Sequence, residues 1–398
     1  MFYIPVKLFY TLNKATMTYF DNNSTTQMLP EVKKALSNAL DSNLGNPEAL
    51  GRINRHAKEV IEESRFHVAD LLGSSSGKLI FTSSGSESNA IGILSSVLGS
   101  KRKKIICSEI EHASISNLLE MLSVQGYCIE FIRTLPSGII DIEHAATLID
   151  DHTALVVVQL VNNETGVIQP IEQIQQLAHT HGAKFHCDGA QAVGKMPVQV
   201  ESLGCDYFSF TAHKFHGPKG VGALWVGGSI DEVYPLIPGG NQEYGKRGGT
   251  HNVLGILGMG VAAKYKQEAL HETLQYTKHL RDLFETTLAD HHNMIKINGI
   301  ESPRVGNTSN VQFLDIDGKA LFLNLLNEDI ICSQTSACTA QNPEPSKTLV
   351  AMGLSFDEAF NSIRFSFSEQ NSEEEIFEAT KKITALYRHI QHIFKGGL

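Results

Sequence analysis

The chain has 398 residues, of which 42% are hydrophobic, and a formal net charge of −10 at pH 7. The length suffices for a large core in two or three domains, while the acidic balance provides no basic surface for nucleic acid or an anionic membrane. The chain has no run of about 18 apolar residues, so no membrane span is predicted. The cysteines show no zinc spacing, so we expect reduced thiols, no metal site and a cytoplasmic protein.

We expect the first 28 residues to form an N-terminal arm that contributes to the smaller of two domains. Residues 1–16 lack the basic start, the apolar block and the small-residue cleavage site of a secretory signal. Met17 directly precedes the motif T-Y-F-D-N-N-S-T-T. Residues 1–16 are therefore either an arm without defined structure or the result of a wrongly assigned start.

Residues 29–260 predict a large domain in which strands and helices alternate. The predicted strands are apolar without alternation, as is typical of parallel strands that helices cover on both faces. The fold class is therefore α/β, with a mostly parallel central sheet. The predicted helices are 31–40, 51–72, 113–125 and 171–181, and the predicted strands are 78–82, 104–108, 154–161 and 206–212.

Residues 261–398 predict a connecting helix, 261–292, followed by a smaller α+β domain. The predicted strands are 307–316, 329–333 and 362–368, and the predicted helices are 318–327 and 372–394. The loop 334–345 is polar and carries Cys338, and a cysteine in such a loop suits a mobile nucleophile better than a core. The other five cysteines lie in or beside apolar strands, and we expect them to be small core residues: Cys107, Cys128, Cys187, Cys205 and Cys332.

Several polar residues follow the predicted strands of the large domain, where ligands of such sheets bind. The segment S-S-G-S-E-S at 83–88 joins a strand to a helix, a geometry whose free N–H groups bind phosphate, although it also suits an ordinary helix cap. Lys214 lies at a strand exit before a glycine-rich turn, which suits Schiff-base chemistry with a carbonyl, although a surface lysine is the common alternative. Asp188 ends another strand and suits a pyridinium partner or, alternatively, a helix cap.

Five motifs together resemble a known family. H-K before G-P-K-G at 213–220, D-G-A-Q-A-V-G-K at 188–195 and N-N-E-T-G at 162–166 are similar to the pyridoxal-phosphate (PLP) enzymes of aminotransferase class V. T-S-A-C-T at 335–339 and E-P-S at 344–346 resemble the active-cysteine loop of the cysteine desulfurases within that family. The resemblance extends over most of the chain and implies the PLP-dependent transferase fold, similar to aspartate aminotransferase.

The resemblance, which covers residues 18 to 385, also implies roles for individual residues. Lys214 would hold PLP covalently, Asp188 would keep its pyridinium protonated, and the imidazole of His112 would stack on the ring and move protons. The other implied cofactor contacts are Ser84, Gly85, Ser86, Asn163, Gln191, Thr211, His213 and, across the interface of a homodimer, Thr250. The implied substrate contacts are Asn46, Asn163 and Arg364. On residue type alone, His112 could instead be an ordinary helix N-terminal residue, and Arg364 a strand residue facing solvent.

The implied reaction removes sulfur from L-cysteine. The Cys338 thiolate would take the sulfur as a persulfide, release alanine and pass the sulfur to an acceptor protein, either an iron–sulfur scaffold or a tRNA-thiolation relay. The chain departs from many relatives, which carry glycine at the position of Thr335, and it ends without the longer tail of the housekeeping branch. Two other functions stay open, an aminotransferase or other PLP lyase in which Cys338 is incidental, and a catalytically silent partner-binding protein.

Overall fold

The computed structural model describes residues 17–75, 77–290, 294–334 and 344–394. The arm contributes β1 (Thr18–Tyr19). The large domain contains, in chain order, α1 (Pro30–Asp41), α2 (Arg52–Leu71), β2 (Lys78–Thr82), α3 (Gly85–Leu98), β3 (Lys104–Ser108), α4 (Ala113–Val124), β4 (Cys128–Ile132), α5 (Ile142–Leu148), β5 (Thr153–Gln159), α6 (Ile171–Thr180), β6 (Lys184–Asp188), β7 (Tyr207–Thr211), β8 (Gly222–Val226) and α7 (Gln242–Gly245). The remaining elements are α8 (Val253–Ala289), β9 (Ile295–Ile297), β10 (Thr308–Phe313), α9 (Gly318–Asn327), β11 (Ile330–Ile331), β12 (Ser333–Gln334), α10 (Lys347–Ala351), α11 (Phe356–Phe360), β13 (Ser362–Ser366) and α12 (Glu373–Phe394).

A seven-stranded sheet in the order β2-β8-β7-β6-β5-β3-β4 forms the centre of the large domain. All its pairings are parallel except those of β8, which is antiparallel to β2 and β7. Every residue of β5 is buried, because Val156 and Val158 pack into a core on one face while Leu155 and Val157 pack into a core on the other. The structure thus confirms the α/β class and the mostly parallel sheet, and it explains the apolar runs that lack alternation.

Helix α2 covers the sheet with an apolar stripe at helical spacing. Ala57, Ile61, Ser64, Val68 and Leu71 are buried on this stripe. Ile53 lies in the first turn of the helix, beyond the core, and is 52% exposed. The helix ends before Gly73, whose φ of 61° is a backbone conformation that glycine adopts without strain.

Helix α8 joins the two domains and is longer than predicted. Its N-cap is Asn252, whose side chain accepts a hydrogen bond from the N–H of Gly255 at 3.0 Å, so the predicted domain boundary at residue 260 falls inside the helix. Gly260 permits close packing on α2, because a Cβ there would lie 2.6 Å from the Cα of Ser64. At the other end of α8, Leu280, Phe284 and Leu288 enter the core of the small domain.

The small domain is built on a four-stranded antiparallel sheet in the order β12-β13-β10-β9. The strand predicted at 329–333 is two short strands in different sheets, because β11 pairs with β1 whereas β12 pairs with β13. Phe20 of the arm packs with Phe284 and Phe367 in this domain. Residues 18–20 of the arm therefore lie on the small domain.

Four of the five cysteines predicted to be core residues are buried. The prediction is wrong for Cys128, which is exposed because it begins β4, the strand at the edge of the sheet. Within the described ranges, no helix has the length and apolar character that a membrane crossing requires.

Candidate active site

The predicted site residues of the large domain gather at one edge of the central sheet. Strands β3, β5, β6 and β7 are parallel, and β2 points the same way because β8 is antiparallel to both β2 and β7. The segments that follow these strands therefore meet at the carboxyl edge of the sheet. This edge carries Ser84 after β2, His112 after β3, Asn163 after β5, Asp188 at the end of β6 and Lys214 after β7.

The turn between β2 and α3, residues 83–86, has the geometry of an anion cradle. Ser84 is the N-cap of α3 and accepts a hydrogen bond from the N–H of Glu87 at 3.2 Å, as the alternative of an ordinary cap predicted. Gly222 begins β8 directly against this turn, where a Cβ would lie 2.5 Å from the carbonyl carbon of Ser84. Ser86 is exposed and Thr211 lies beside Gly85. Because the first N–H groups of a helix lack partners inside it, this turn is suited to a phosphate.

Lys214 is held by the N-terminal arm. It ends the 3₁₀ turn Ala212–Lys214 that follows β7, and its Nζ donates to the carbonyl oxygens of Asn23 at 2.5 Å and Ser24 at 2.8 Å. Burial and repulsion from the Arg364 guanidinium lower the pKa of Lys214 to about 8. Lys214 is thus not an ordinary surface lysine, because its amine is partly neutral near neutral pH and can act as a nucleophile.

Asp188 is a buried carboxylate at the end of β6, 8% exposed. Its Oδ1 accepts the N–H of Ala190 at 2.9 Å, and its Oδ2 accepts a hydrogen bond from the amide of Asn89 at 2.8 Å. The first contact caps a turn and not a helix, because no helix follows Asp188 before β7, so the alternative of a helix cap is wrong. Sequence reasoning missed the second contact, in which Asn89 of helix α3 holds the carboxylate in place.

Gln191 is buried, but its amide is engaged within the protein. Its Nε2 donates to the carbonyl oxygen of Asn23 at 2.9 Å, and its Oε1 accepts a hydrogen bond from Lys195. Lys195 also donates to Oδ1 of Asn23 at 2.8 Å, and burial together with repulsion from Lys214 holds its pKa well below the ordinary range. Sequence reasoning missed both Asn23 and Lys195, although each lies inside a motif that it quoted.

His112 caps the N-terminus of α4 and is exposed. Its Nδ1 accepts a hydrogen bond from the N–H of Ser114 at 3.1 Å, so it is a helix N-terminal residue as well as a residue of the sheet edge. The nearby His213 is neutral at neutral pH, because burial and the lysines around it lower its pKa to about 4. The hydroxyl of Thr211 donates to the carbonyl oxygen of Val221 at 3.0 Å.

Arg364 is buried, so the alternative of a solvent-facing strand residue is wrong. It lies on β13 of the small domain and reaches the large domain, where its Nη1 donates to the carbonyl oxygen of Asn163 at 2.9 Å. Its Nη2 pairs with the carboxylate of Asp21 at 2.7 Å. Nε is buried and has no partner among the described residues. A guanidinium with unused donors at a domain interface is suited to a substrate carboxylate.

Two predicted residues, Asn46 and Thr250, lie at the surface and make no hydrogen bond to this cluster within the described part of the chain. Asn46 is exposed, and its Oδ1 accepts the N–H of Glu48 at 3.1 Å. Thr250 is exposed, close along the chain to Arg247, which binds the α3 residue Glu87 at 3.0 Å. Cys338 lies outside the described residues.

These residues fit PLP. A partly neutral lysine after β7, a buried carboxylate at the end of β6 and a helix N-terminus after β2 lie at one end of four neighbouring strands, and the glycine that begins β8 is pressed against that N-terminus. They match the aldehyde, the pyridine nitrogen and the phosphate of that cofactor in chemical type.

The comparisons with known proteins agree with this site. The family model for class-V aminotransferases matches residues 18–378. A cysteine desulfurase of Trichormus azollae is 36% identical over 362 residues, covering 91% of this chain and 90% of the relative. The cysteine desulfurase NifS of Azotobacter vinelandii is 34% identical over 377 residues, covering 94% of each chain.

Solved structures show the same likeness. A NifS-like protein has a TM-score of 0.85 at 32% identity, covering 94% of this chain and 100% of that chain. SspA in complex with cysteine has a TM-score of 0.79 at 30% identity, covering 88% and 99%. The chain therefore belongs to the class-V aminotransferase family of PLP-dependent enzymes and, within it, to the NifS/IscS-like cysteine desulfurases.

Proposed function

We propose that this enzyme takes sulfur from L-cysteine with PLP held on Lys214, and that Cys338 receives the sulfur. The observation that carries the proposal is the position of the Lys214 amine, which follows β7 directly beside β6, the strand that ends in Asp188. Its pKa of about 8 leaves neutral amine available for Schiff-base formation. The solved relative SspA contains cysteine, which supports the same substrate here.

The chain's own residues would hold the cofactor at three points. Lys214 would bind the aldehyde carbon, the carboxylate of Asp188 would accept a hydrogen bond from the pyridinium N–H, and the turn at Ser84, Gly85 and Ser86 would bind the phosphate with Thr211 and His213. His112, Asn163 and Gln191 complete the site around the ring. When bound, PLP supplies an electron sink for the carbon atoms of the amino acid.

Arg364 would bind the substrate carboxylate, aided by Asn46 and Asn163. The guanidinium already binds the Asp21 carboxylate, so a substrate must share or displace this contact. The buried Nε and the restricted geometry between Asp21 and the carbonyl of Asn163 favour one orientation of the substrate. Lys214, once released, is the base that can move a proton at the substrate carbon, and His112 has Nε2 free of the Ser114 contact for a second transfer.

The sulfur-transfer step joins two sulfur atoms. The Cys338 thiolate attacks the substrate sulfur, so an S–S bond forms and the C–S bond breaks with its electron pair left on carbon. Protonation of that carbon gives L-alanine, and Cys338 keeps the sulfur as a persulfide. An acceptor protein then takes the sulfur, and the two acceptor classes are an iron–sulfur scaffold and a tRNA-thiolation relay.

The protein would act as a homodimer in the cytoplasm, and the second copy would complete the phosphate site. Thr250 is exposed in the single chain, and the segment that carries it is tied to α3 through Arg247 and Glu87, next to the cradle. A second copy that places its Thr250 at the cradle accounts for an exposed donor in this position. Sedimentation of the wild-type protein should give twice the mass of one chain, and Thr250→Val should weaken PLP binding without dissociating the dimer.

The cofactor assignment is tested by trapping. Borohydride reduction of the holoenzyme followed by peptide mapping should place PLP on Lys214, and Lys214→Ala should show no covalent adduct. Wild-type enzyme given L-cysteine should form alanine in step with transferable sulfur. Trapping on another lysine, or alanine formation without sulfur release to a thiol, would contradict the proposal. Labelled cysteine with each purified acceptor then distinguishes the two acceptor classes.

A further inference from the structure

Asn89 is a buried amide, 2% exposed, at the centre of a hydrogen-bond chain behind the proposed cofactor site. Its Nδ2 donates to Oδ2 of Asp188 at 2.8 Å and to Oγ of Ser114 at 3.0 Å. Its Oδ1 accepts from Nε2 of His186 at 2.9 Å and from the hydroxyl of Ser209. Both donors and both acceptor positions of the amide are therefore in use.

The direction of each bond follows from Asp188. An ionised carboxylate only accepts, so the amide group that faces it must be the NH₂ group, and Oδ1 must face His186 and Ser209. His186 then carries its proton on Nε2, and its buried Nδ1 has no partner among the described residues. Burial lowers the pKa of His186 to about 3, which keeps the ring neutral and the direction of the bond fixed.

A second branch of the chain leads to His112. Because Oγ of Ser114 accepts from Asn89, its hydroxyl hydrogen is available for Nδ1 of His112, 2.9 Å away. The backbone N–H of Ser114 donates to the same nitrogen at 3.1 Å. Two donors at Nδ1 place the proton of a neutral imidazole on Nε2.

We propose that Asn89 is a positioning residue that couples Asp188 to His112, so that one amide fixes the ionised carboxylate and the tautomer of the imidazole together. The inference rests on the proposed function for the identity of the cofactor, but the hydrogen-bond chain consists of this protein's own residues. Asn89 would act on the cofactor site only through its hydrogen bonds to Asp188 and Ser114.

Asn89→Asp is the sharpest perturbation of this chain. The new side chain keeps an acceptor for His186 and Ser209 but replaces the donor at Asp188 with a second carboxyl oxygen. Two carboxylates at this distance share one proton, so Asp188 is no longer a full anion. We expect the dissociation constant of PLP, measured by absorbance titration of the apoenzyme, to rise roughly tenfold or more.

The second readout needs no cofactor. In apoenzyme labelled with ¹⁵N-histidine, and with His112→Gln to assign the signal, Nδ1 of His112 should be unprotonated and Nε2 protonated. Ser114→Ala removes one of the two donors at Nδ1 of His112, so the ¹⁵N resonance of that nitrogen should move. The PLP dissociation constant of this variant should stay well below that of Asn89→Asp, because Asn89 still binds Asp188. Asn117→Ala, exposed on the same helix, is the matched control and should change neither readout.

The outcomes separate this inference from the proposed function. Wild-type protein that fails to bind PLP at Lys214 contradicts the proposed function. Suppose instead that the wild-type protein binds PLP at Lys214. If the folded Asn89→Asp variant then has an unchanged affinity for PLP and an unchanged His112 signal, the coupling alone is overturned. If Asn89→Asp does not fold, Ser114→Ala decides, because an unmoved His112 Nδ1 resonance in that variant also overturns it.

Discussion

The pKa of Lys214 links the fold of this enzyme to its first chemical step. Two features lower that pKa, the burial of the amine and the positive charge of Arg364 from the small domain, and they outweigh the carboxylates of Asp21 and Asp188, which raise it. With a pKa of about 8 in place of the ordinary 10.5, about a tenth of the amine is neutral at pH 7, against roughly three parts in ten thousand. If PLP binds at this amine as proposed, the lowered pKa makes more neutral amine available for Schiff-base formation at pH 7.

Arg364→Met should raise the pKa of Lys214, because removal of a nearby positive charge stabilises the ammonium form. The unpaired carboxylate of Asp21 acts in the same direction, since its charge also favours the ammonium. We expect a shift of about one pH unit, which makes Schiff-base formation at pH 7 about tenfold slower. The rate for the apoenzyme with PLP, followed by stopped-flow absorbance from about pH 6 to about pH 10, reports this directly and involves no substrate.

Arg133→Met is the matched control, since it removes an exposed arginine that pairs with Asp141 on the surface. Its rate profile should overlay that of the wild-type protein. A wild-type midpoint near the ordinary lysine value, or equal midpoints for wild type and Arg364→Met, would refute the reasoning.

Three further predictions follow from other contacts. Gly222→Ala should weaken PLP binding at least about tenfold while the fold is kept, because the Cβ of the new alanine displaces the turn at Ser84. An affinity for PLP equal to that of the wild-type protein in absorbance titrations would show that the turn tolerates the alanine. Asp188→Asn should still bind PLP but lose most alanine production, since a neutral amide no longer favours the protonated ring; near-normal turnover argues against its role. Arg65→Met should lower the free energy of unfolding by about 3 kcal/mol or more, because it leaves the buried Glu243 carboxylate without its bidentate partner. A free energy of unfolding that is unchanged within experimental error in urea titrations would contradict this.

The sequence predicts the large domain well because its signals are local. Strands β2, β3, β5, β6 and β7 are short runs rich in apolar residues, and polar residues such as Asp188 and Lys214 lie at or just after their ends. Parallel topology then brings these ends to one edge without further information. The segment S-S-G-S-E-S likewise predicts the turn between β2 and α3 and its capping serine, Ser84.

The contacts that sequence reasoning missed are those between segments far apart in the chain. Asn23 meets Lys214 and Gln191 because the arm crosses the sheet edge, and no periodicity near residue 23 encodes that crossing. Asn89 is a polar residue within an apolar helix, a signal that could have marked it as a buried partner of a polar group. The strand predicted at 329–333 divides because its two halves find different partners, β1 and β13, and pairing partners are a tertiary property.

The central claim is that Cys338 takes the sulfur directly from the substrate. Mass spectrometry of the peptide spanning residues 336–347 after a single turnover with L-cysteine tests it most directly. We predict a mass gain of one sulfur atom on Cys338, and a Cys338→Ala protein that keeps its PLP but no longer forms alanine at the wild-type rate. Added sulfur on Cys332 or Cys187 instead, or alanine formed at an unchanged rate by Cys338→Ala, would contradict the account.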